Sequence, residues 1–244
     1  MTTLVVVTLS RFVAKGLSLE MEILRSHRPE AASLWDNDND WKDFVMQTET
    51  VFRIVLPALI LTFIAHRGYY TKKSARPEND TLKKREEGIV TKVAEVLSLL
   101  GFVAMIAYVI NPQWLGWASL SFPLWLRWFG VGIALLGFAL LQWAQVTLGR
   151  SWSDAPRMMK EQALITSGPY QFIRHPIYTA FILILGSTLF ISSNWLIGLT
   201  WAGMTVLDIG SRIGFEETLM LEYFGDQYRQ YMKKTGRLLP RIIN

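Results

Sequence analysis

Residues 93–110 read VAEVLSLLGFVAMIAYVI. These eighteen residues hold one charge, Glu95 near the start, and Asn111-Pro112 closes the run. A helix rising about 1.5 Å per residue would carry this stretch about 27 Å, close to the hydrocarbon thickness of a bilayer. Four further runs have the same character. Val51 to Tyr70 carries Arg53 and Arg67 near its ends, where long side chains can reach water, and Pro57 is expected to kink it. The others run from about Trp128 to Leu148, from Pro176 to Ile191, and from Trp195 to about Ile213. The link Ser192-Ser193-Asn194 is so short that the last two runs are expected to form an antiparallel helical hairpin. The pattern predicts an all-α integral membrane protein of about five transmembrane helices.

Composition agrees. The chain has 244 residues, of which 51% are apolar and 18% charged, against roughly 25% charged in an average soluble domain. Mean hydropathy is +0.24. This excludes a soluble dinucleotide-binding enzyme, a disulfide-stapled secreted domain and a nucleic-acid binder. The chain lacks cysteine, which removes thiolate chemistry, and His27, His66 and His175 are too scattered to suggest a metal centre. The net charge of +5 is explained by basic loops. Lys72, Lys73, Arg76, Lys83, Lys84, Arg85 and Lys92 follow the first run, and Arg150, Arg157, Lys160 and Arg174 follow the third. Arg229, Lys233, Lys234, Arg237 and Arg241 follow the fifth, whereas residues 111–122 and 192–194 have neither Lys nor Arg. Every basic segment is cytoplasmic if the N-terminus lies outside and the C-terminus inside.

Residues 1–50 hold eight acidic and five basic residues, with Asp36, Asp38, Asp40 and Asp43 clustered. They are expected to form a surface-lying extramembrane segment, with Leu4–Ser10 dipping into the interface and no signal peptide. Residues 51–147 would then supply three transmembrane helices, and residues 148–244 a loop, the hairpin and a tail.

The chemically informative residues gather in that last part. Gly168-Pro169 marks a turn, and Arg174-His175-Pro176 leads into the fourth run, with Pro176 suited to a first helical position. The free N–H groups there, with Arg174 and His175, can receive an anionic group; the alternative is a plain boundary marker. Asp208, Arg212 and Glu216 are spaced four apart and share one helical face, with Glu217 adjacent. They read either as a site or as an ion-pair ladder that lets the helix leave the membrane. Gln142 and Gln145 suit polar contacts between helices. Gly130-Val131-Gly132 and Gly137 imitate a dinucleotide loop but lie within an apolar run, where close helix packing is the better reading.

The combination is more specific than its parts. Leu164-Ile165-Thr166-Ser167-Gly168-Pro169-Tyr170 precedes Arg174-His175-Pro176-x-Tyr178, and a hairpin separates these from Arg212-x-x-x-Glu216-Glu217. Phe224-Gly225-x-x-Tyr228-x-x-Tyr231, Arg237 and Pro240 follow. Over about residues 148–241 this resembles the isoprenylcysteine carboxyl methyltransferase family and its prokaryotic, phospholipid-methyltransferase-like relatives. The resemblance implies a membrane enzyme using S-adenosyl-L-methionine in a cytoplasmic cofactor pocket. By position, it implies that Gln162, Ala163, Leu164, Ile165 and Tyr170 line the cofactor. His175, Pro176, Ile177 and Tyr178 would contact it from the helix start, and Glu216 would bind its polar end. Arg212 would be catalytic, holding the substrate carboxylate. Gln162 stands where the family often has histidine, which argues against proton transfer there. A lipid or prenylated substrate is expected to enter from the bilayer, in a membrane that suits a prokaryotic inner membrane; the sequence leaves oligomeric state open. Two other acceptors of the pattern are a phospholipid amine, with Glu216 or Glu217 as base, and an NADPH-dependent sterol-reductase-like chemistry, for which no dedicated 2′-phosphate cluster is visible.

Overall fold

The computed structural model describes residues 38–73, 88–149 and 163–241, with side chains from residue 46 onward. The expectations for Leu4–Ser10, Asp36 and Gln162 lie outside these, while Asp38, Asp40 and Asp43 fall in a helix, not a loop. Seven α-helices are described: α1 Asp38–Lys73, α2 Ile89–Ile110, α3 Leu124–Leu148, α4 Pro176–Gly186, α5 Thr188–Ser192, α6 Trp195–Phe224 and α7 Asp226–Lys234. Two 3-10 turns, Pro112–Ala118 and Gly168–Gln171, sit in the connections.

Among the described residues, three segments are long and apolar enough to cross a membrane: Met46–Lys73, Ile89–Ile110 and Leu124–Leu148. Pro176–Ser192 is apolar but shorter. Its break falls at Ser187, whose hydroxyl turns back onto the Ile184 carbonyl. Helix α6 is 30 residues long, but Asp208, Arg212, Glu216 and Glu217 reduce its apolar character. It also continues well beyond the expected end near Ile213. Helix α1 likewise begins at Asp38 rather than Val51, and Pro57 lies inside it without ending it.

The core joins every long helix. Phe52, Leu56 and Ile60 of α1, Leu141 of α3, Ile184 of α4, Ile191 of α5 and Ile197 of α6 are fully buried. Glycine sets the spacing of α3 against α4 and α5. A methyl group on Gly130 would lie 2.6 Å from Phe190, and one on Gly137 would lie 2.7 Å from Ile184. Both glycines therefore serve close helix packing, as read from the sequence, while Gly132 faces open space. Gly198 meets Leu189 beside the turn, and Glu216 meets Tyr178 far from it, so α4–α5 and α6 run antiparallel. Ser193 makes the turn with φ +50°, and the Asn194 side chain caps α6 through the N–H groups of Leu196 and Ile197. The Asn194 amide also donates to the Leu115 carbonyl at 3.0 Å, tying the turn to the α2–α3 connection.

A buried ionic node completes this turn end. Arg127 of α3 donates to Glu49 of α1 at 2.5 Å, to the Tyr108 hydroxyl of α2 at 2.8 Å and to the Ile191 carbonyl of α5 at 3.0 Å. Its guanidinium lies 3.9 Å from the centre of the Phe52 ring. Arg53, expected at a span's end, bonds there to the end of α2. Its Nε and Nη2 each donate at 2.9 Å, to the carbonyls of Val109 and Ile110, which are the last of α2 and lack intrahelical donors.

Candidate active site

The other end of the bundle collects α4's first turn, the second half of α6, helix α7 and residues 235–239. Pro176 opens α4, as expected, and is fully buried; His175 is the residue before it, with φ −124°. The strand-like segment 172–175 is held by the returning tail. Arg174 N–H donates to Gly236 O at 2.8 Å, His175 N–H to Arg237 O at 3.1 Å, and Gly236 N–H to Phe172 O at 3.2 Å. Glycine is required at 236, because any Cβ there would collide with the Leu239 carbonyl. The Thr179 hydroxyl bonds Leu238 O at 2.7 Å, and the Tyr231 hydroxyl bonds Tyr170 O at 2.5 Å. The tail thereby orients the start of α4.

The two adjacent glutamates of α6 divide the charges between them. Glu217 is 4% exposed and faces cations. It accepts from Arg174 Nε at 2.9 Å and from Arg237 Nη2, and His175 Nε2 stands 3.5 Å away. Burial raises its carboxyl, but His175, Arg237 and Arg174 beside it more than offset this and hold it at about 2. Glu216 has neither Arg nor Lys against it among the described residues. Its carboxylate accepts from the Tyr178 hydroxyl, and its other oxygen lies 3.6 Å from His175 Nδ1. Burial is the main influence on Glu216 and raises its carboxyl above the usual range. His175 lies between both glutamates with a buried Nε2 that completes no hydrogen bond, and it stacks on Tyr178 at 5.5 Å.

Several expectations change against this geometry. Arg174 spends Nε on Glu217 and Nη1 on the carbonyls of Thr235, at 2.5 Å, and Met232, at 3.3 Å. The ladder Asp208–Arg212–Glu216 exists only in its first rung. Arg212 Nε donates to Asp208 Oδ1 at 2.7 Å, while Glu216 turns to α4. Tyr170 is buried beside Tyr231 and in the field of Glu216; burial first, then those neighbours, push its phenol well up, so it stays protonated. Ile177 is half-buried in the first turn of α4. Ala163 is exposed, and Leu164 and Ile165 are half-buried in an irregular segment. No hydrogen bond or ion pair joins these three to the His175–Glu216 group among the described residues.

Glu217, Arg174 and Arg237 form the organising triad, and sequence reasoning assigned Glu217 no firm role. The doubled glutamate was the available signal: two residues about 100° apart on a helix point in different directions and so meet different sets of neighbours. From Tyr178 an aromatic contact leads on to Phe181, whose ring meets Phe63 at 5.0 Å and Arg67 at 5.6 Å. A polar, charge-divided cluster thus adjoins a row of aromatic rings.

Residues 130–222, which include α4 and most of α6, match the isoprenylcysteine carboxyl methyltransferase (ICMT) family. The chain is 27% identical over 154 residues to protein-S-isoprenylcysteine O-methyltransferase B of Arabidopsis thaliana, covering 62% of this chain and 73% of that protein. It is 32% identical over 114 residues to protein-S-isoprenylcysteine O-methyltransferase of Schizosaccharomyces pombe, covering 46% and 48%. The chain thus spans about half the length of the second relative. A solved structure of the eukaryotic intramembrane Ras methyltransferase ICMT is similar with a TM-score of 0.48 at 23% identity, covering 66% of this chain and 55% of that one.

Proposed function

Because residues 130–222 match the isoprenylcysteine carboxyl methyltransferase family, we propose that the chain is a methyltransferase that uses S-adenosyl-L-methionine to esterify an isoprenylcysteine-type carboxylate at the cytoplasmic membrane face. The observation that carries this reading is the division of charge on α6. Glu217 is consumed by Arg174 and Arg237, which leaves Glu216 as a half-buried carboxylate with neither Arg nor Lys bonded to it among the described residues.

The residues fit the proposed cofactor, which bears an ammonium, a carboxylate and a sulfonium. Glu216 suits the ammonium. The first-turn amides of Ile177 and Tyr178 have no intrahelical acceptor, and with His175 beside them they suit the carboxylate. The faces of Tyr170 and Tyr178 suit the sulfonium. When bound, the cofactor supplies an electrophilic methyl group. The protein's own work is then alignment. A carboxylate acceptor is already ionised near neutral pH, so no general base is needed. Arg212 holds it in a fixed plane through its guanidinium fork. The docked tail limits water around the His175 turn, and the apolar wall from Phe181 to Phe63 receives the lipid chain. The same reading assigns Gln162, Ala163, Leu164 and Ile165 to the cofactor's wall. It also takes the hairpin as two spans beside α1–α3, five in all, with the N-terminus outside.

Calorimetric titration of the full chain in nanodiscs with S-adenosylhomocysteine, and separately with NADPH, tests this. Selective micromolar binding of the former is expected, and selective NADPH binding would overturn the reading. Glu216→Ala should weaken S-adenosylhomocysteine at least about tenfold, the scale of one charge-assisted hydrogen bond. Unchanged affinity would remove Glu216 from the cofactor site. The acceptor follows from the product: a methyl ester is released by alkali, whereas an N-methyl lipid survives it.

A further inference from the structure

Asp208 lies one helical turn before Arg212 on α6, within the stretch expected to cross the membrane. A carboxylate there has an ordinary explanation, to neutralise a nearby arginine where lone charge is costly. The geometry is more particular. Asp208 Oδ1 accepts from Arg212 Nε at 2.7 Å, and it meets neither terminal nitrogen. Among the described residues Arg212 makes no other hydrogen bond or ion pair, because Glu216, one turn further on, bonds Tyr178 instead. The Arg212 and Asp208 side chains are 29% and 23% exposed, so the free end of the guanidinium is reachable without being loose in solvent.

A guanidinium offers a carboxylate two parallel forks: a side-on one made by Nε with one terminal nitrogen, and an end-on one made by the two terminal nitrogens. With Nε taken, the end-on fork is the one that remains. On the reading of Arg212 given above, we infer that Asp208 is a positioning residue for the acceptor. By occupying Nε it fixes the guanidinium plane and restricts the acceptor carboxylate to end-on approach from the Nη1 and Nη2 side. The carboxylate oxygen that will take the methyl group is thereby held in one direction relative to the first turn of α4, where Tyr178 and His175 stand. Asp208 acts through Arg212 and does not itself touch the acceptor.

The test uses the full chain in nanodiscs, with S-adenosylmethionine and an N-acylated S-farnesylcysteine as the probe acceptor. Rates are expressed per S-adenosylhomocysteine site counted by calorimetry, so that loss of folded protein does not count as loss of turnover. Asp208→Ala removes the bond and should lower kcat about ten- to a hundredfold with little change in acceptor KM, the scale on which misplacement of a reacting group acts. Asp208→Asn keeps an oxygen that can accept from Nε but removes the charge, and should recover most of kcat. In an Arg212→Lys background, which has no fork to orient, Asp208→Ala should cost nothing further. Asn as damaging as Ala would overturn the inference in favour of charge neutralisation. Losses that add in the double variant would overturn it in favour of a role independent of Arg212. An inactive Arg212→Ala beside a fully active Asp208→Ala would sink this inference alone, whereas an active Arg212→Ala would sink the proposed role of Arg212 with it.

Discussion

The bundle has a buried arginine–glutamate network at each end, and they are built differently. At the turn end, Arg127, Glu49 and Tyr108 come from three separate helices and lie against Phe52 and the α5 carbonyls. Glu49 and Tyr108 bond each other as well, at 2.5 Å, so the polar groups there satisfy one another. At the opposite end, Glu217 is equally well paired, but its neighbours are not. His175 keeps a buried nitrogen without a hydrogen bond, and Glu216 keeps a carboxylate to which neither Arg nor Lys is bonded among the described residues. The first network closes on itself and joins helices. The second uses one saturated glutamate to hold loop and tail in place around an unsaturated one. A buried charge in a membrane helix is therefore not by itself a mark of function; unspent bonding capacity on rigidly held groups is the sharper sign.

That contrast can be broken at either end. Arg127→Ala removes one partner of a buried pair and should cost about 3–5 kcal/mol of stability, measured by denaturation in detergent or nanodiscs. Turnover per folded molecule should persist; a loss of turnover with stability intact would mean that the turn end is functional too. Arg212→Ala should give the reverse result, with kcat/KM down about a hundredfold, roughly 3 kcal/mol, and an unchanged unfolding midpoint.

Glu217 sharpens the comparison through pH. Its carboxyl is depressed to about 2 in the folded protein against an ordinary value of 4.5. The stabilisation it gives is therefore fully present above about pH 4.5 and is lost as pH falls toward 2. The unfolding midpoint should drop across that window, and Glu217→Gln should flatten the drop while lowering stability at neutral pH. An identical pH profile in the variant would show that Glu217 does not hold the tail. The smallest effect belongs to Tyr231→Phe, which deletes one hydrogen bond to Tyr170 O and should cost about 1 kcal/mol. Hydrogen exchange of residues 168–175 should quicken modestly in that variant and remain unchanged near Arg127.

Much of the molecule was open to reading from its residues. The runs at Val93 and Trp128 became helices α2 and α3 with ends shifted by four residues, and Gly130 and Gly137 proved to be packing glycines. The order Arg174-His175-Pro176, Arg212, Glu216 does converge on one end of the bundle. What escaped is the identity of partners. Arg53 caps the end of α2, and Arg174 gives Nε to Glu217 and Nη1 to the tail carbonyls, pairings that their positions in the chain did not announce.

Apolar length, helix period, capping and turns are local properties, and the sequence alone determined them: long apolar helices, a hairpin turn at Ser193–Asn194 and a polar cluster one side of it. The choice of which carboxylate meets which cation belonged to the tertiary structure. Glu216 and Glu217 are neighbours in the chain with the same chemistry, and they separate only because Arg237 returns beside Arg174 while Tyr178 faces the next position of α6. Electrostatic pairing depends on distance and burial in space, and both are decided by segments dozens of residues away.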